Sequence, residues 1–271
     1  MSLSSEQIAT LERANYEAGL PVAAVTPELT MELRDNVILT ASQLFPAPDT
    51  THACLLRAAP EQADTLITEI IDYYMAQDLP VHFYISPACT PNDLDKRLLK
   101  RGFVKQETET WMILEDLPHV KIPKPSPKAP VTHLTKADAL TFAEIFMTAF
   151  DMPLDFAPSM AQLLEPSVGL PGVYHYLGYI DSQPVGTLSL ICHNNFGIIG
   201  SAAVIPDQRG RKVAFNLMIA AGQQAQQAGV ETLVLQTSAG IMLERLLGLY
   251  GFKKVFTRTH YAYCEQPDSS C

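Results

Sequence analysis

Along residues 131–271 the apolar positions change period several times, and each change marks an element. From Leu134 to Phe150 they recur at Ala139, Phe142, Ala143, Phe146 and Ala149, which is the spacing of one helix face. Residues 151–172 hold four prolines and an interrupted apolar pattern, which predicts a loop with a short helix. Tyr174 to Ile180 and Val185 to His193 read as strands around the turn Asp181-Ser-Gln-Pro184. Phe196 to Ile205 is small and apolar without alternation, as in a strand covered on both faces. A helix is predicted from Arg211 to Ala228, with Val213, Ala214, Leu217, Met218, Ala221 and Ala225 on one side and Gly229 as its stop. Thr232 to Gln236 is a strand, Met242 to Leu249 a helix and Val255 to Tyr263 a last strand. The order α-loop-β-β-β-α-β-α-β predicts an α/β (α+β) arrangement around a mixed central sheet flanked by helices.

The first half closes in the same way. A strand over Pro80–Ile85, a helix over Leu94–Lys100, the pair Gly102-Phe103 and a strand over Glu109–Leu114 match the later strand, helix, Gly251-Phe252 and strand. Such a recurrence points to a tandem repeat of one fold. Upstream, Ala53 to Arg57 reads as a strand and Glu61 to Ala76 as a helix. Ala58-Ala-Pro60 joins them without a glycine or a basic cluster. Trp111, the only tryptophan, falls in a strand and suits core or domain-interface packing.

Between the halves, Asp116 to Pro130 contains five prolines in fifteen residues. Proline removes backbone donors and favours extended chain, so 118–130 reads as a linker between domains over 1–117 and 131–271. Of the 271 residues, 47% are apolar and 18% charged, a folding composition with no run long enough to span a membrane. The polar start, Met1 to Asn15, lacks the apolar centre of an export signal. Cys54, Cys89, Cys192, Cys264 and Cys271 are scattered, with no metal-ligating pair, and suit reduced thiols in a cytoplasmic protein. A net charge of −10 argues against a nucleic-acid partner and is compatible with a cationic one.

One segment breaks a rule of helix electrostatics. In Val204-Ile-Pro-Asp-Gln-Arg-Gly-Arg-Lys-Val-Ala214 a buried strand ends at Pro206 and a helix begins after Gly210. Arg209, Arg211 and Lys212 crowd its first turn, where positive charge is unfavourable by a few tenths to about 1 kcal/mol each. A phosphate or pyrophosphate seated on the free N–H groups removes the conflict. The segment matches neither GxxxxGK[ST] nor a GxGxxG following the first strand.

Taken in this order, these residues resemble the GNAT superfamily of N-acetyltransferases. The family signature runs from a Val-x-Pro strand end into [Arg/Gln]-x-x-Gly-x-[Gly/Ala] at a helix start. Arg209 and Ala214 fit its first and last places, whereas Lys212 stands where the first glycine is usual. The resemblance covers 131 to about 263. The first half resembles a degenerate copy without the phosphate turn, which makes two GNAT-like domains in tandem.

The resemblance implies acetyl-CoA as cosubstrate, lying between the strands 196–205 and 232–236. Its pyrophosphate would rest on the backbone of Arg209, Gly210, Arg211, Lys212, Val213 and Ala214, and its pantetheine amides on Ala202, Ala203 and Val204. One N–H of that strand would polarise the thioester carbonyl, and a positioned amine would attack it. The tyrosine that often protonates the departing thiolate falls here at Leu247, so Tyr250 and Ser238 are the candidate hydroxyls. No glutamate occupies 196–205, where a base is often found, and His175 and His193 are candidate bases on adjacent strands. Asp151, Asp155 and Glu165 suit a cationic acceptor, and Phe150, Phe156 and Tyr174 an apolar one. The expected activity is acetyl transfer from acetyl-CoA to a primary amine of a small molecule or peptide, with no metal, nucleic acid or membrane involved and room for a homodimer. The alternatives are a silent acyl-CoA-binding module and an interaction protein whose basic turn is only solvated.

Overall fold

The computed structural model describes residues 3–263, so Cys264 and Cys271 lie outside the described residues. In chain order the elements are α1 (Ser5–Val25), β1 (Leu29–Leu33), β2 (Ile38–Ser42), β3 (His52–Cys54), α2 (Ala63–Met75), β4 (His82–Ile85), α3 (Leu94–Lys100) and β5 (Phe103–Leu114). There follow β6 (Val131–His133), α4 (Ala139–Ala149), α5 (Ala157–Leu164), β7 (Val173–Ile180), β8 (Gln183–His193) and β9 (Phe196–Val204). The last are α6 (Val213–Gln227), β10 (Thr232–Ser238), α7 (Met242–Leu249) and β11 (Lys253–Tyr263). Helices flank mixed sheet, as expected from the sequence.

Packing divides the chain into two compact units whose limits differ from those the proline run suggests. The first takes the described residues to Ala23, Pro27–Met112 and the segment from Gln236 onward; the second takes Ala24–Thr26 and Ile113–Leu235. The boundaries fall inside β5 and β10, so α7 and β11 pack with the amino-terminal residues. In place of a linker, 118–130 is a strap on α6. Proline leaves carbonyls without neighbouring donors, and side chains of α6 supply them. Asn216 Nδ2 donates to Ser126 O at 2.7 Å and to Ala129 O at 2.6 Å, and its Oδ1 accepts from Ser126 N–H at 2.9 Å. Gln226 Nε2 donates to Leu117 O and Val120 O at 2.7 and 2.9 Å.

In the first unit the strands run β1-β2-β3-β4-β11-β5, parallel between β3 and β4 and antiparallel between β11 and β4. Leu66, Ile67, Ile70 and Tyr74 of α2 and Leu94 and Leu98 of α3 are buried in the core with Leu39, Phe83 and Tyr261. Strand β5 begins six residues before the expected Glu109, because its polar first half stays largely exposed and needs no apolar pattern. Arg258 of β11 is buried. Its Nε donates to Glu109 Oε1 at 2.7 Å and its Nη1 to Tyr16 Oη at 2.7 Å, and Glu12 Oε1 lies 3.6 Å away. The guanidinium sits 4.2 Å from the Tyr84 ring centroid. Trp111 is a core residue stacked on Phe256, with Nε1–H donated to Glu109.

In the second unit β6, β7, β8 and β9 form an antiparallel meander, and β10 joins β9 in parallel. Leu134, Phe142, Ile145 and Leu177 fill the side under α4. On the other side α6 starts at Val213, two residues later than expected. Gly178 and Gly186 are paired across β7 and β8, and a Cβ on either would come within 2.7 and 2.6 Å of Val213 Cγ1. The two glycines therefore admit the first turn of α6 close against the sheet.

Candidate functional site

Strands β9 and β10 part early. Their parallel register runs from Phe196↔Thr232 to Ile199↔Leu235 and stops. From Gly200 to Val204, β9 continues without β10 as a partner, so this edge offers main-chain donors and acceptors to an extended ligand. The parting coincides with an irregularity in the β8–β9 register, where Thr187 pairs with Ala203 but Ser189 with Gly200. Ser201 takes a left-handed φ of 48°, and Thr187 Oγ1 donates to its carbonyl at 2.8 Å. A bulge of this kind re-aims backbone groups.

The edge leads directly into the basic turn. A short 3-10 turn at Pro206–Gln208 is followed by Gly210 at φ 80° and Lys212 at φ 69°, with Arg211 between them at negative φ. Alternation of hand curls successive N–H groups toward one side, the geometry of an anion nest. Helix α6 then opens without a side-chain cap, so its first N–H groups stay available. Lys212 departs from the family glycine in side chain only, since its backbone adopts the conformation that glycine favours.

The expectation of three unshielded cations is corrected. Arg209 Nε donates to Val204 O at 3.1 Å and its Nη2 to Ala149 O at 2.8 Å, which clamps the strand end and the end of α4 to the turn. Arg211 donates to Gln208 Oε1 at 2.6 Å and meets Asp181 Oδ2 at 3.1 Å. That pair is solvent-exposed and weak. Lys212 is the N-cap residue of α6, and its side chain makes no capping hydrogen bond.

The residues expected to hold the cofactor, Ala202–Val204 and Arg209–Ala214, all lie in the second unit along this edge and turn. Ser238, at the exposed end of β10, and Tyr250, which follows α7 in an exposed turn, belong to the first unit. Asp151 and Asp155 are exposed in the segment joining α4 to α5, with Phe150 and Phe156 beside them. His193 is half-buried near the end of β8.

Of the two candidate histidines, His175 has both ring nitrogens in hydrogen bonds. It is buried on β7, and its ring lies 2.8 Å (Nε2) from Ser167 Oγ and 2.7 Å (Nδ1) from Ser189 Oγ. Burial pushes its pKa down to about 4, so it is neutral near pH 7. The sequence singled out this histidine but neither serine, since no motif spacing joins residues 167, 175 and 189.

Residues 140–250 match the model of the family described as Acetyltransferase (GNAT) family. No curated protein matches the chain. Among solved structures, a GCN5-related N-acetyltransferase from Kribbella flavida superposes with a TM-score of 0.67 at 13% identity, over 93% of this chain and 96% of that one. A GCN5-related N-acetyltransferase from Sphaerobacter thermophilus gives 0.60 at 14%, over 100% and 96%. A tandem GNAT protein from the clavulanic acid biosynthesis pathway gives 0.62 at 13%, over 94% and 89%. At such identities the likeness is one of fold.

Proposed function

We propose that the chain transfers an acetyl group from acetyl-CoA to a primary amine of a small molecule or peptide. The observation that carries this reading is the free β9 edge, Gly200 to Val204, running into the nest at Gly210–Lys212 and the uncapped start of α6. An extended pantetheine arm matches the edge, and a pyrophosphate matches the nest. An N–H of the bulged strand polarises the thioester carbonyl. The amine nitrogen attacks the carbonyl carbon, the C–S bond breaks, and CoA leaves as the thiolate.

We further infer a tandem of two related folds. The strand, helix, Gly-Phe, strand order recurs as β4, α3, β5 and as β10, α7, β11, and one of the superposing structures is itself described as a tandem GNAT protein. The free thiols of Cys54, Cys89 and Cys192 fit a cytoplasmic setting.

The absence of any carboxylate on β9 favours a second reading, a silent acyl-CoA-binding module. Calorimetry with CoA and acetyl-CoA tests the binding step. Affinity in the tens of micromolar or tighter is expected, and no heat at that concentration overturns both readings. Thiol release over a panel of amines then separates them, turnover supporting the transferase.

A further inference from the structure

Deprotonating the attacking amine needs an acceptor that β9 does not carry, and the cluster around His175 has the required form. Ser167 Oγ has one proton. It donates to Leu164 O at 2.7 Å, so toward His175 it acts as acceptor and Nε2 bears the ring proton. In the neutral ring Nδ1 is then a free lone pair, and Ser189 Oγ–H donates to it at 2.7 Å. The result is a hydroxyl, a neutral imidazole that accepts its proton and a third group that fixes the imidazole.

The position of this chain of bonds gives it a use. His175 and Ser189 are cross-strand partners on β7 and β8, and Ser189 is in turn paired with Gly200. Gly200 is the first residue of β9 beyond the stretch joined to β10. Gly200 is exposed, and a Cβ there would meet nothing within 4 Å, so the strand position paired with Ser189 stands beside open space. At its other end the ring of His175 lines a cavity of about 420 Å³, bordered by His133, Val168 and Gly172. The cluster thus runs from the parting of the strands toward solvent.

We propose that Ser189 takes the proton of the attacking amine and passes its own to His175. This inference rests on the transferase reading above. As the N–C bond forms, the amine proton moves to Ser189 Oγ and the Ser189 proton moves to His175 Nδ1. The C–S bond breaks, and the imidazolium returns its proton through Ser189 Oγ to the departing thiolate. Ser189 is the catalytic residue in this step, His175 takes its proton, and Ser167 positions the ring.

The test is a kinetic series with the amine found by thiol release, alongside calorimetry of each variant with acetyl-CoA. Ser189→Ala is expected to lower kcat about 100-fold, while KM and Kd for acetyl-CoA change less than about twofold. Ser189→Thr, which keeps the hydroxyl, recovers most of the rate. His175→Gln lowers kcat about 10-fold, and it carries the test should Ser189→Ala fail to fold. A Ser189→Ala variant that binds and turns over like the parent overturns the proposal and leaves the transferase reading intact. Binding of acetyl-CoA with no turnover on any amine overturns that reading, and this inference with it.

Discussion

The junction from β3 to α2 and the junction from β9 to α6 both lead from the middle of a sheet, beside a parallel neighbour, into a helix. They differ in what the backbone does after the parallel pairing. In the first unit the chain beyond β3 is stitched onward. Thr90 N–H donates to Leu56 O at 2.9 Å, Ala58 N–H donates to Thr90 O at 3.2 Å, and Arg57 bridges Thr90. The junction has a left-handed Leu55 (φ 51°) and one cation, Arg57, but no glycine, and Pro60, Glu61 and Gln62 ahead of α2 have neither positive charge nor positive φ. In the second unit the pairing ends at Ile199 and Leu235, and the freed edge leads to Gly210 and Lys212. One junction ties its backbone onward with its own hydrogen bonds, and the other leaves the β9 edge beyond Ile199 without β10 as a partner, which is the feature on which the proposed cofactor site rests.

The largest effect is expected in the interior of the first unit, where a charged cluster is buried. Arg258 is the buried cation facing Glu12 and Glu109. Arg258→Leu leaves buried carboxylates without their partner and should cost about 3–5 kcal/mol in chemical denaturation. A loss below 1 kcal/mol would show that β11 is dispensable to that interior. Acid is the next probe. His82 and His260 lie 3.0 Å apart, and burial holds both near pKa 4, below the ordinary value of 6.5. Between those values the unfolded chain binds more protons, so stability is present above pH 6.5 and is lost as pH falls toward 4. Unfolding free energies at pH 7 and 5 should differ by about 4 kcal/mol on account of this pair, and the His82→Phe, His260→Phe double variant should reduce the difference by that much, with His175 still titrating in the same window.

The sequence showed the second unit more fully than the first, for physical reasons. Strands β7, β8 and β9 and helix α6 carry apolar patterns set by covered faces, so their limits agree within two or three residues. The first unit contains α1, β1 and β2, whose patterns were not singled out, and a β5 whose polar start conceals a strand. The assignment of β11 to that unit is a long-range pairing, Thr259 against Ile85, and no local signal encodes it. The proline run suggested a boundary because missing donors look like exposed chain, while Asn216 and Gln226, about 90 to 110 residues away, supply the donors. At the site, glycine and basic charge made the turn visible. Arg209 as a clamp on Ala149 was not, because its partner is a carbonyl and carbonyls have no sequence identity.

Ala214 offers a substitution in which stability and binding should move in opposite directions. It is exposed in the first turn of α6, where a carboxylate favours the helix by about 0.3–1 kcal/mol. The same carboxylate would repel a pyrophosphate seated on those N–H groups. Ala214→Glu should weaken acetyl-CoA binding about 10- to 100-fold in calorimetry while the melting temperature holds or rises. Unchanged affinity would remove the pyrophosphate from this turn and erase the contrast between the two junctions.

Lys212 should give the smallest effect and the sharpest distinction. Its φ of 69° places a β-carbon where L-residues incur roughly 1–2 kcal/mol of strain. Glycine removes that strain but increases the freedom of the unfolded chain by up to about 1 kcal/mol. Lys212→Gly should therefore leave folding stability unchanged or raise it by no more than about 1 kcal/mol, read from denaturation midpoints. Binding then decides what the ammonium does. If the nest alone holds the pyrophosphate, the acetyl-CoA affinity of Lys212→Gly stays within about twofold of the parent and its salt dependence is unaltered. If the lysine adds its charge, affinity falls by about three- to tenfold at low salt, and the loss shrinks as salt screens it. Clear destabilisation by Lys212→Gly would show that the left-handed turn is held by contacts of the lysine side chain, and that the departure from glycine belongs to folding and not to the ligand.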